Sequence, residues 1–222
     1  MASGADVLSK TGEAIPRPRI QTLSDLIFGL ALSIGALSLL NAAPKNLFDL
    51  AESLLGFGWA FVILALVWVR YTRITSVLPI ETGMMVGANL FLLFLVSIEP
   101  YLYNLINSSL DRGITTSLYA ADMGALFLVM TFFLGELTKE ERKLIPRSLL
   151  TSYRLQAYGN LAAAALFLIS ILPVFWIWDI QGVPMRFVLW MGTFFVMVVR
   201  RGVERRAKVE NPQMAVKLSD LP

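Results

Sequence analysis

Arg19, Ser24 and Asp25 open an apolar run that continues to Leu40, RIQTLSDLIFGLALSIGALSLL. A charge at the end of such a run is costly unless it is paired or put to use. Arg19 lies six residues before Asp25, under two helical turns. It can reach that carboxylate only through a bent entry, or it can meet Asp25 of a neighbouring chain. The carboxylate also sits near a helix start, where negative charge is favoured, and Ser24 and Asp25 are residue types that cap helices.

Little else in the chain offers chemistry. There is no Cys and no His. That removes the thiol nucleophile, the disulfide framework, the commonest metal ligand and the commonest general base. Asp49, Glu52, Asn89, Asp122 and Glu136 interrupt or flank apolar stretches. Their spacing forms no triad, no metal site and no phosphate loop. Asn89 is placed to bond another helix. Asp122 falls either within the membrane or near its outer surface, and Glu136 is expected to be solvated at an inner helix end. Gly83 and Gly87 make a weak helix-packing pair. The inventory points away from an enzyme, and it calls for no cofactor and no nucleic-acid partner.

The elements that hold these residues are membrane helices. The chain is 56% hydrophobic and 16% charged, and its mean hydropathy is +0.66. Soluble domains carry roughly 25% charge. Six stretches are long enough to cross the bilayer: 22–43, 47–70, 83–106, 114–136, 155–178 and 185–200. This predicts an all-α membrane protein. Residues 1–18 form a mobile N-terminal tail, 19–200 the membrane domain, and 201–222 a basic, mobile C-terminal tail. The last span is short, and Arg186 at its start is expected to snorkel to the interface. Five spans with an interfacial helix is the alternative. With both termini in the cytoplasm, sixteen of the 19 Lys and Arg residues fall on the cytoplasmic side. That is the bias orientation follows, and it favours an even count. Lys139 to Arg154 reads as the one sizeable polar loop, and Glu99-Pro100 as an early end or a kink in the third span.

Helical spacing puts Leu30, Ser33 or Ile34, Leu37 and Asn41 on one side of the first span, with Leu26 extending it toward the cytoplasm. From spacing alone, such a face is also what a lipid-facing or packed helix shows.

Arg19, Ser24 and Asp25 at the head of six spans resemble the endolysosomal potassium channel family in its single-repeat prokaryotic form. That family's motif reads Arg, three spacers, then Phe-Ser-Asp; Leu23 stands here where the family has Phe. Asn89, Ser97 and Pro100 are similar to its third helix, and Trp68 to the end of its second. Three residues after that Trp the family usually has His, and here Tyr71 stands instead. The network joining the motif to the second and third helices must therefore differ.

The resemblance implies a homotetramer in the bilayer of a prokaryotic plasma membrane, with the first helices around a central pore. It implies potassium as the permeant ion and no carbonyl filter. It places the constriction at Leu30, with Leu37 continuing the pore face, and the selectivity-linked hydroxyl at Ser33. Leu26, Ile34 and Asn41 are further lining candidates, and Arg19, Ser24, Asp25, Trp68 and Asn89 form the motif network. The rival reading is an ion- or proton-coupled secondary transporter, with Asp25, Asn89 and Asp122 as ligands within one protomer. A membrane scaffold that carries no ions is the third.

Overall fold

The computed structural model describes residues 17–41, 46–78, 80, 82–106, 111–139, 144–180, 183–193 and 195. The N-terminal residues 1–16 and the basic C-terminal tail lie outside them. Five long helices follow one another: α1 (Arg17–Asn41), α2 (Leu47–Thr75), α3 (Gly83–Ile106), α4 (Arg112–Leu137) and α5 (Arg147–Ile169). A short α6 (Val174–Ile177) and a two-stranded hairpin come next, with Asp179 opposite Pro184 and Ile180 opposite Val183. Residues 185–193 then form α7. Among the described residues, four helices are long and apolar enough to cross a membrane: α1, α2, α3 and α4.

Local chemistry sets the boundaries. The Asn46 side chain accepts from Asp49 N–H at 2.8 Å and starts α2. Asp111 does the same for α4, accepting from Gly113 N–H at 2.7 Å. This cap starts α4 two residues before its apolar run, because a polar side chain that satisfies the orphan donors begins a helix wherever it sits. α3 runs through Pro100 to Ile106, so Glu99-Pro100 does not end it early.

Two expectations fail at α5. The helix begins at Arg147, inside the segment read as a polar loop, and ends at Ile169 rather than near 178. Arg147 to Gln156 is polar but rich in good helix formers, and polarity keeps a segment out of hydrocarbon without keeping it out of a helix. Pro173 has no backbone N–H, so no ladder passes through it.

α4 is the central element. It packs most extensively on α5 and α3, and α1 packs on α3 and α2. Tyr119, Met123, Phe127, Met130, Phe133 and Leu137 are all buried along α4. On the α4–α5 interface, a methyl added at Gly124 would lie 2.6 Å from Leu168 Cδ2. Small residues permit such approaches in membranes. Trp190 of α7 closes this core, with its ring 5.1 Å from Tyr119, 5.7 Å from Phe167 and 5.0 Å from Phe187.

Arg186 does not snorkel. It is 1% exposed. Its Nε donates to Ser170 O at 2.7 Å, and its Nη1 to Gly113 O at 2.8 Å and to Thr116 Oγ1. Its Nη2 donates to Ile171 O at 3.2 Å, and the guanidinium lies 5.5 Å from the Trp176 ring centre. The residue thereby serves carbonyls left over at the end of α5, where a cation is also favoured by the helix dipole.

Candidate pore-forming site

α1 has two faces. Ile20, Ser24, Phe28 and Ala31 are buried against the rest of the chain. Leu26, Leu30, Ser33, Ile34 and Leu37 are exposed. At about 100° per residue, the exposed set centres roughly 130° around the helix from the buried one. Leu30 is 52% and Leu37 56% exposed within the single chain.

The buried face is held by a polar chain across three helices. Ser24 Oγ lies 2.7 Å from Tyr71 Oη, and Tyr71 donates to Asn89 Oδ1 at 2.6 Å. An amide oxygen only accepts, so the single phenol proton goes to Asn89. Ser24 is then the donor to Tyr71, and its one proton is shared with Ile20 O, 2.8 Å away. All three side chains are buried. Phe28 packs on the same tyrosine, with ring centres 5.6 Å apart. Tyr71 is the residue common to both bonds. It joins α1, α2 and α3 at one point.

Asp25 has its own partner. Trp68 Nε1 donates to Asp25 Oδ1 at 2.8 Å, a second tie between α1 and α2. The carboxylate is exposed, so the bond sits at the rim rather than in the core. Arg19 and Asn41 belong to α1, but their side chains lie outside the described ones. Trp68→Phe is expected to loosen this rim at a cost of about 1.5 kcal/mol, the low end for a bond to a charged group. Thermal unfolding of the solubilised protein measures it.

Ser33 is exposed, and its hydroxyl donates to Gly29 O at 2.8 Å. The proton is therefore turned back to the helix, and the oxygen presents its lone pairs outward. An oxygen in that posture can meet a cation.

Other acidic side chains are buried, Glu136 against the expectation that it is solvated. Asp122 lies in mid-helix in α4 and is 5% exposed, and neither carboxylate oxygen has a hydrogen-bond partner. Glu99 is 2% exposed and accepts from Tyr119 Oη at 3.2 Å. The two carboxylates are within electrostatic reach of each other across the α3–α4 interface. Asp25 and Asn89 belong to the α1–α2–α3 junction instead, so the three residues of the transporter reading do not share one site. Glu136 is buried, with its Oε1 2.5 Å from Lys139 Nζ. Arg70 is buried and donates to Asn160 Oδ1 of α5 at 3.1 Å.

The model of a known family, "Endosomal/lysosomal potassium channel TMEM175", matches residues 19–100. Residues 19–100 are similar to that channel family. The match covers α1, α2 and α3 as far as Pro100, the helices that the Ser24–Tyr71–Asn89 chain ties together. The resemblance seen in the sequence is borne out there, and the family matched is one of ion channels rather than enzymes. No curated protein matches the chain. Among solved structures, the fold is similar to a "lysosomal potassium-selective channel TMEM175 homolog" from Chamaesiphon minutus. Identity is 20%, the TM-score is 0.56, and the match covers 83% of this chain and 97% of that one. The overall TMEM175-type fold therefore extends well past the segment that the family model matches.

Proposed function

We propose that the chain is one subunit of a homotetrameric potassium-permeable channel in a cell membrane. Each subunit contributes six membrane helices, with both termini in the cytoplasm. The first helices surround the pore. The observation that carries this reading is the division of α1: one face is fastened by Ser24, Phe28 and Asp25, and the other face is apolar and exposed. A helix pinned on one side can present the other to an axis in fixed rotation.

Four copies of Leu30 around that axis make an apolar ring, and Leu37 makes a second about two turns further along. A cation gives up hydration there with nothing in return, so a narrow ring closes by dewetting and conducts when it widens. Ser33 lies between the two rings. On an ideal helical wheel it lies about 40° from the mean direction of Leu26, Leu30 and Leu37, and Ile34 about 60°. Four serine oxygens would face an ion that has shed part of its water. Potassium holds that water less tightly than sodium, so the arrangement favours potassium modestly and needs no rigid cage. Leu26 and Ile34 line the remaining wall, and Asn41 the far end of the helix. Asp25, with Trp68, sets the position of α1 rather than touching the ion.

Reconstitution tests the ion-facing role of Ser33. Removing its oxygen in Ser33→Ala is expected to lower the potassium-to-sodium permeability ratio toward unity. Bi-ionic reversal potentials in planar bilayers measure it. A ratio equal to that of the unaltered protein would sink the role.

A further inference from the structure

A second feature lies away from the proposed pore face, in a recess partly open at the subunit surface. A cavity of about 1140 Å³ opens among the second end of α1, the first half of α2, the end of α3, the start of α4, and α7. Pockets that hold drug-sized ligands run to roughly 300–1,000 Å³, so this one has room for a large molecule. Its polarity is graded along the helices. Asp49, Asn104 and Arg112 stand at helix ends, whereas Trp59, Tyr119 and Trp190 lie further in. Phe48 and Trp59, both on its wall, are eleven residues apart along α2. That is about 16 Å of helix, close to one leaflet of a hydrocarbon core about 30 Å thick. Arg112 is the single basic residue among those lining it.

We propose that this cavity is a phospholipid site. One lipid of the leaflet at that end of the bundle places an acyl chain against the aromatic wall and its phosphate on Arg112. The gradient is what separates a lipid from other occupants: charge at the helix ends, aromatic rings below, and the depth of one leaflet. Arginine suits a phosphate because its guanidinium offers several donors and keeps its charge. The site is built from one chain and does not depend on the pore reading.

Native mass spectrometry of the delipidated protein tests it. The probes are dioleoyl phosphatidylethanolamine, dioleoyl phosphatidylglycerol and dioleoylglycerol, which lacks the phosphate. Both phospholipids are expected to bind the unaltered protein, and dioleoylglycerol roughly tenfold more weakly, the loss of one charge-assisted contact. Arg112→Gln should bring the phospholipids down to the level of dioleoylglycerol. Ala51→Trp, at an exposed position on the cavity wall, should abolish binding, and Ser53→Phe on the same wall gives a second blocking variant. Thermal unfolding confirms that each variant is folded. Equal phospholipid binding by all four proteins overturns the proposal. So does a blocking variant that keeps its lipid but loses its oligomeric state, which would assign the cavity to a second copy of the chain.

Discussion

Leu30→Ala is expected to raise resting potassium conductance roughly tenfold or more in reconstituted bilayers. Alanine removes three side-chain carbons from each subunit, twelve from the ring of four. The constriction both widens and loses the apolar surface that repels water. Each 1.4 kcal/mol taken from a barrier gives about a factor of ten. One methylene is worth about 0.8 kcal/mol in transfer between water and an apolar setting, so a reduction of that size needs only part of the ring's change. Single-channel recording separates the two ways conductance can grow. A wider, wetter ring raises open probability and unitary current together. Selectivity should fall with them, because a fully hydrated ion passing a wide ring has less need of Ser33. Conductance unchanged in Leu30→Ala would move the constriction elsewhere along the helix.

Tyr71→Phe carries the second large effect, and on stability rather than flux. The ring stays, so the contact with Phe28 is kept. The hydroxyl goes, and with it the shared partner of Ser24 and Asn89, both buried. Ser24 retains Ile20 O as an acceptor, whereas Asn89 loses the donor to its Oδ1. A buried polar group left unsatisfied costs about 1–3 kcal/mol. For a chain of this size each kcal/mol lowers the melting temperature by roughly 2–4 °C, so a fall of about 3–10 °C is expected in detergent. Tyr71→His restores a ring that can both donate and accept, and should recover much of the loss. If Tyr71→Phe melts with the unaltered protein, the three-helix junction does not hold α1 in place.

The residues show which parts of this arrangement a sequence can disclose. α3 spans 83–106 as its apolar run indicates, and α2 starts where Asn46 caps it. Both are local facts, written in hydropathy and in one capping side chain. The Asp25–Trp68 pair was legible as two members of one motif, although not as a bond. Tyr71 was visible only as a departure from the family pattern. Its part as the hub follows from the approach of three helices, which no single stretch encodes. The burial of Arg186 is hidden from the sequence for a similar reason. Its acceptors are mainly backbone carbonyls of Gly113, Ser170 and Ile171, and carbonyls leave no mark in a sequence. Glu99 stands out in the sequence only through the proline after it. Its burial against Tyr119 depends on the packing of α3 on α4. The exposed leucines of α1 are the converse case. Their spacing was plain, but their meaning depends on other copies of the chain.

The central claim is that the exposed face of α1 lines the pore, and the absence of native cysteine makes it directly measurable. Single cysteines at Leu37 on that face, at Phe28 on the buried face and at Phe94 on the exposed face of α3 can each be treated with a cationic methanethiosulfonate during recording. Leu37→Cys is expected to lose potassium current irreversibly on treatment, whereas Phe28→Cys and Phe94→Cys keep theirs. Block at Phe94→Cys with none at Leu37→Cys would contradict a pore lined by the first helix.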